Sequence, residues 1–287
     1  MISIDIQGGL GNQLFMIFAT LAYGIQHNVQ VIFPYHTGSN NRGTYWDTLF
    51  DHLNIFTTRK PENSVDLQTF QRYPEPGFSY HSLPNFGEQN ISLFGYFQSP
   101  KYFEPFQQTI YQLIHLSDKK EEIRKCHKGL FDTPTVCIHF RMGDYKQKRY
   151  YHPVMNYEYF EGALTHIMDN TNTQKVLYLC EQEDNEYVGR QILRMKSKYP
   201  GLEFVKVDDS LPDYEQLLIM SCCNHNIMSN SSFSRWGAYM NENVNKLVVY
   251  PSVWFGEYFE HSHDCKDMMD PNWVKIEARP IPWQEPL

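Results

Sequence analysis

Thr135-Val136-Cys137-Ile138-His139-Phe140-Arg141-Met142-Gly143-Asp144-Tyr145 joins a β-branched apolar run directly to three closely spaced polar groups, His139, Arg141 and Asp144. Such a run predicts a buried strand that delivers charge at its carboxyl end, where open α/β sheets take their ligands. Arginine at that position points to an anion. Its guanidinium fork grips a phosphate through two parallel hydrogen bonds, each charge-assisted bond worth roughly 1.5–3 kcal/mol. The competing reading is a strand-end ion pair between Arg141 and Asp144.

Outward from this stretch the pattern is regular. Strands are predicted at 135–140, 175–180, 203–207, 225–228 and 246–250, alternating with helices near 156–169, 184–198, 212–223 and 231–242. That alternation implies a parallel, doubly wound sheet. Toward the N-terminus, Ile2–Ile6 alternates like a strand, Gln7-Gly8-Gly9-Leu10-Gly11-Asn12-Gln13 is a glycine-rich turn, and apolar residues from Leu14 to Ile25 recur at helical spacing. Val29–Phe33 is the next predicted strand, which completes a βαβ unit whose turn presents amides at a helix N-terminus. Residues 34–90, rich in Pro, Gly, Asn, Ser and aromatics, are expected to form long loops with short helices. A strand at Ile91–Phe97 and helices at Lys101–His115 and Asp118–His127 follow. The expectation is two domains, 1–131 and 132–287, with the tail able to pack back on the first.

Two nucleotide motifs are excluded. Gly9-x-Gly11 does not extend to Gly-x-Gly-x-x-Gly, because Leu14 holds the third position and the second strand ends in Phe33-Pro34-Tyr35 rather than an acid. No Gly-Lys-Ser/Thr of a Walker loop occurs. A net charge of −8 lacks the positive field that nucleic-acid binding uses. The one basic cluster, Lys146-Gln147-Lys148-Arg149, reads as a solvated loop or as a loop facing a diphosphate. Aromatics make up 15% of the 287 residues, which suits sugar-stacking surfaces as well as an ordinary core. The six cysteines form no Cys-x-x-Cys pair, so free thiols in a reducing compartment are expected. With no signal-peptide pattern and no apolar run of 18 residues, the sequence reads as a soluble, cytoplasmic protein without a membrane span.

A second motif, Met228-Ser229-Asn230-Ser231-Ser232-Phe233-Ser234-Arg235-Trp236-Gly237-Ala238, lies between a short strand and a helix. By itself it is a well-capped helix start. Taken with Arg141 it becomes a second anion site on the same sheet, and two such sites suit a diphosphate. His261-Ser262-His263-Asp264-Cys265 has metal-ligand residue types but no complementary pair at zinc spacing, and reads as a polar turn.

Three stretches together resemble the α-1,2-fucosyltransferases of glycosyltransferase family 11: Gly8-Gly9-Leu10-Gly11-Asn12-Gln13-Leu14-Phe15, His139-x-Arg141-x-Gly143-Asp144-Tyr145, and the run from Cys223 to Ala238. Gly95-Tyr96-Phe97-Gln98-Ser99 and Pro251-x-x-Trp254-Phe255 fit as well. Met142 stands where many members carry a second arginine, a departure that implies weaker donor binding or a transfer of that role to another cation, and Arg235 where tryptophan is usual, which bears on the acceptor surface. The resemblance implies an α/β, GT-B-like fold of two Rossmann-like doubly wound domains facing a cleft. It implies transfer of fucose from GDP-fucose, with inversion, to the 2-hydroxyl of a galactose-terminated glycan. By motif match Arg141 neutralises the β-phosphate with Ser231, Ser232 and the helix amides, His139 and Asp144 shape the pocket, and Asn12 lies near the reacting centre. Gly9, Gly11, Asn230 and Phe233 complete the donor site, with Asp209 serving guanine or ribose unless Asp208-Asp209 is only a strand-end turn. No Asp-x-Asp occurs, so no metal and no cofactor are expected. Asp144 and His139 are the nominal general bases. The rival readings are a fucosyltransferase of other linkage, another GDP-sugar transferase, and a non-catalytic glycan- or nucleotide-binding protein.

Overall fold

The structure is a computed structural model that describes residues 1–35 and 43–282; residues 36–42 of the predicted long loop lie outside them. Two compact units are present, Met1–Lys119 with His263–Asp270, and Lys120–Ser262 with Pro271–Leu287. Both carry parallel sheets.

In the first unit, β1 (Ile2–Ile4) leads through the glycine turn into α1 (Leu10–His27), which is buried almost without interruption from Leu10 to Gly24. A helix apolar on nearly every face must lie within the core rather than on it. Asn28, in the left-handed conformation, ends α1. The chain then returns so closely that Val31 packs on Gly24, where a Cβ would lie 2.3 Å from Val31 Cγ2. The predicted strand at Val29–Phe33 is realised only as single bridges, Ile2 with Val31 and Phe33 with Thr57. Burial of Val31 and Phe33 satisfies their alternation without a ladder. β2 (Gln71–Pro74) and β3 (Ile91–Phe94) complete a parallel sheet in the order β1-β3-β2. β2 went unpredicted because it is an exposed edge strand ending in proline, with no apolar alternation to announce it. The helix predicted at 101–115 is interrupted. Pro100 and Pro105 open tight turns, and α2 spans only Gln107–Leu113. α3 (Leu116–Cys126) follows.

The second unit realises the predicted alternation closely. β4 (Thr135–His139) is followed by α4 (Tyr157–Asn170), β5 (Lys175–Leu179), α5 (Asn185–Lys198), β6 (Glu203–Lys206), α6 (Asp213–Cys222), β7 (His225–Ile227), α7 (Ser232–Tyr239) and β8 (Val248–Pro251). One further strand, β9 (Val274–Ile276), pairs with β8. All pairings are parallel, in the order β6-β5-β4-β7-β8-β9. The chain winds outward from β4 through β5 to β6, then crosses back to β7 and winds the other way. β4 and β7 are therefore neighbours whose following connections diverge, and that divergence opens the crevice in which doubly wound sheets bind ligands. Val136, Ile138, Val176, Ile227 and Val249 fill the sheet's interior, and Phe140 and Phe160 pack beside them. Among the described residues no helix is long and apolar enough to cross a membrane.

Gly237 fixes how closely α7 approaches α6. A Cβ there would lie 2.8 Å from Met220 Cε and 2.9 Å from Met220 Cβ. The methyl can swing aside, but the Cβ cannot. Gly237→Ala gains roughly 1 kcal/mol of helix propensity and loses roughly 1–3 kcal/mol to overpacking, so a net fall in thermal midpoint is expected. Gly237→Leu is expected to lower it further, by differential scanning calorimetry.

Candidate functional site

β4 ends at His139, and the chain then carries Arg141 out at the carboxyl edge of the sheet. The guanidinium is held at both ends: Nη1 donates to Glu181 Oε1 and Nη2 to Asp144 Oδ1. Its plane stands 4.7 Å from the centre of the Tyr145 ring. Burial opposes the charge, but Tyr145, Glu181 and Asp144 more than offset it, and the pKa rises above arginine's ordinary value. Lys148 Nζ lies 3.1 Å from the other oxygen of Asp144. The strand-end ion pair read as the alternative to a phosphate site is thus present, and it is doubled by Glu181, which follows β5 and which no local spacing ties to Arg141. Gly143, at φ +38°, permits this: a Cβ there would fall 2.2 Å from Glu181 Oε1. The Gly143 N–H donates to buried Asp184 at 2.8 Å, and Asp184 also accepts from Lys146 Nζ at 2.5 Å. The basic loop is therefore tied to the turn after β5.

His139 is buried, and its Nδ1 is hydrogen-bonded to Ser234 Oγ in α7, which lies 3.2 Å from Ser229 Oγ. Its ring centre is 5.3 Å from that of Phe233. Burial, with Arg141's charge adding to it, pushes the imidazole pKa down to about 3. The ring stays neutral at pH 7 and has little basicity to offer an acceptor hydroxyl. His139, Arg141, Asp144 and the start of α7 therefore form one assembly across the switch point between β4 and β7. Tyr145 links its halves, stacking on Arg141 and donating to the Asn230 carbonyl at 3.4 Å.

The remaining candidates divide by what already holds them. Ser231 caps α7, its hydroxyl accepting from Phe233 N at 3.3 Å. Buried Asn230 uses Nδ2 to hold the carbonyls of Pro153 and Trp254, at 3.0 and 3.1 Å. Ser232 is the first residue of α7 and half-buried. Asp209, beyond β6, is paired with Lys206 and accepts from Asn185 Nδ2 at 2.6 Å. The two departures from the family pattern both lie in the core. Met142 belongs to the apolar cluster. Arg235, expected to bear on the acceptor surface, is fully buried with its guanidinium 5.6 Å from the Trp254 ring centre, so it does not form a surface.

Gly9, Gly11 and Asn12 belong to the first unit. Gly8, at φ +75°, lets the Asn12 side chain close over it, since a Cβ would lie 2.7 Å from Asn12 Nδ2. Gln98 Nε2 donates to Asn12 Oδ1 at 3.0 Å. This pairs the glycine turn with the Gly95–Ser99 motif at the carboxyl ends of β1 and β3. Glu75, not singled out from the sequence, shapes that motif by accepting from the amides of Tyr96 and Phe97 at 2.8 and 3.1 Å. Burial raises its pKa despite those two bonds.

Two units of parallel sheet, with an arginine-centred crevice at the switch point of the larger one, define an α/β protein of the GT-B-like fold class. The chain belongs to glycosyl transferase family 11, whose model matches residues 59–277. It is 24% identical to the O-antigen biosynthesis glycosyltransferase WbnK of Escherichia coli, over 94% of this chain and 99% of that protein. It is 21% identical to an alpha-1,2-colitosyltransferase of Escherichia coli (95% and 97% covered) and 22% identical to a galactoside 2-alpha-L-fucosyltransferase of Caenorhabditis elegans (96% and 79% covered). Its fold is similar to that of POFUT1 in complex with GDP-fucose, at 12% identity and a TM-score of 0.51, over 87% of this chain and 97% of that one.

The depressed pKa of His139 has a consequence in acid. The unfolded imidazole protonates near 6.5 and the folded one only near 3. The stability this neutral histidine contributes is thus complete above pH 6.5 and is lost progressively as pH falls from 6.5 toward 3. His139→Asn is expected to flatten that part of the stability–pH curve, measured by urea unfolding at stepped pH.

Proposed function

We propose that this glycosyltransferase moves fucose from GDP-fucose to the 2-hydroxyl of a terminal galactoside, with inversion and without a metal. The observation that carries the reading is the assembly of Arg141, Tyr145 and the α7 start across the switch point, in a chain that belongs to family 11. Arg141 is the ligand of the β-phosphate. Ser232 and the first amides of α7 add further donors, while Asp209, at the end of β6, lies on the nucleoside side. The glycine turn with Gly9, Gly11 and Asn12 is assigned to the sugar.

The galactose 2-hydroxyl oxygen attacks fucose C1, the bond from C1 to the β-phosphate oxygen breaks, and its electron pair leaves with GDP. The linkage changes from β in the donor to α in the product. Negative charge grows on the departing diphosphate, and a cation already fixed beside it stabilises that charge more in the transition state than in the ground state. With no Asp-x-Asp in the sequence to hold a metal, this reading gives that electrostatic role to Arg141. His139 serves as a neutral strut that fixes α7 against β4. Asp144, paired with Arg141 and Lys148, positions the guanidinium. As the new bond to C1 forms, the attacking oxygen takes on positive charge and becomes acidic, and its proton passes late to the departing diphosphate or to solvent.

A second reading, favoured by the alpha-1,2-colitosyltransferase relative, keeps the site and linkage and changes the transferred group to colitosyl.

GDP release from GDP-fucose, followed in chelator with and without a terminal β-galactoside, tests the reading. Acceptor-dependent release is expected, falling about 10²–10³-fold in kcat for Arg141→Ala, with an α-1,2 linkage in the product by NMR. Activity that is lost in chelator and restored by manganese contradicts the metal-free assignment. Release that Arg141→Ala leaves intact contradicts the phosphate site.

A further inference from the structure

Arg141 is the proposed phosphate ligand, yet both of its terminal nitrogens already carry carboxylates. A diphosphate arriving beside this triplet would place its charge against two anions, Asp144 and Glu181, that already share Arg141. Exchange is therefore favoured over addition. The geometry selects which carboxylate leaves. Asp144 lies three residues from Arg141 in the same turn and is also 3.1 Å from Lys148, so two cations hold it in place. Glu181 reaches across from the end of β5. Its side chain is 47% exposed, and its carboxylate has no hydrogen-bond partner but Arg141 among the described residues.

Glu181 fills the space that the missing Gly143 side chain leaves beside Arg141, and this space is the slot. Its two oxygens lie over Gly143, 2.2 and 2.5 Å from where a Cβ would be, at the carboxyl edge of β4. The backbone around it need not move for it to leave. Asp184 anchors the turn after β5 to the Gly143 amide, and Lys146 holds Glu183 and Asp184 at 2.9 and 2.5 Å. Rotation of one half-exposed side chain clears the slot.

We infer that Glu181 is an internal competitor for the β-phosphate: it occupies Arg141 in the empty site, is displaced by a diphosphate, and makes binding depend on the β-phosphate. The inference rests on the reading of Arg141 as the phosphate ligand. A nucleoside monophosphate has nothing to place in the slot, so Glu181 stays on Arg141 when it binds. Apparent affinity scales with the fraction of sites that are open, so a slot open about a tenth of the time weakens diphosphate binding about tenfold. The same competition speeds GDP release after transfer, because the carboxylate reclaims the guanidinium.

Isothermal titration calorimetry of GDP, GDP-fucose and GMP on the wild-type chain, Glu181→Gln and Glu181→Asp tests this. Thermal melts of each variant establish that it is folded. For Glu181→Gln the dissociation constants of GDP and GDP-fucose are expected to fall roughly three- to thirty-fold, with that of GMP changing less than twofold. Glu181→Asp keeps the charge but shortens the reach, and is expected to tighten GDP by an intermediate factor. GDP affinity unchanged or weakened in Glu181→Gln overturns the inference and leaves the proposed function standing. An equal gain for GMP overturns it too, because it would mark a general charge effect. A folded wild-type chain that binds neither GDP nor GDP-fucose overturns the proposed function, and this inference with it.

Discussion

An arginine cannot shed its proton at any pH a protein survives, so a fold that half-buries one must keep anions beside it. Arg141 imposes that condition on everything around it. Asp144 comes from its own turn and Glu181 from the turn that follows β5. Gly143 has no side chain because Glu181 needs the room, and Tyr145 stacks on the guanidinium while reaching the backbone of Asn230. Removing either carboxylate leaves a partly buried cation short of a partner. A phosphate can replace one of them, because it offers the guanidinium the same pair of oxygen acceptors.

The position of this arginine follows from strand order. β4 and β7 lie side by side while their connections depart in opposite directions, so the loops that follow them cannot close over each other. His139 and Ser234 join the two sides, and the price of burying that imidazole is its basicity. On the proposed reading, the site's chemistry rests on fixed positive charge and amide donors rather than on a histidine base. That arrangement suits a reaction whose difficulty is the departure of a diphosphate.

Much of this was legible in the sequence, and the limits have physical causes. The apolar runs of the second unit are long enough and regular enough to mark β4 through β8 and the helices between them. Weaker elements escaped: β2 is exposed, and β9 is three residues long, Val274 and Ile276 half-buried about an exposed Lys275, with no apolar run. Val29–Phe33 shows the converse, since its apolar pattern records burial and not pairing. In the site, the positions of His139, Arg141 and Asp144 could be read from local spacing alone. The partnership of Arg141 with Glu181 spans 40 residues and that of His139 with Ser234 spans 95, beyond any local pattern. An acid directly after the β5 run was the available signal for Glu181. Asn230 and Ser231 read as donor-site residues; Asn230 also holds a loop through Nδ2 and Ser231 also caps α7, as polar side chains at a helix start do.

The most direct test of the central claim is a crystal structure of the chain with GDP bound. The account predicts the β-phosphate against the Arg141 guanidinium, with Asp144 still paired and Glu181 swung out of the slot over Gly143. A β-phosphate seated elsewhere, with the pairing of Arg141 and Glu181 intact, would contradict it.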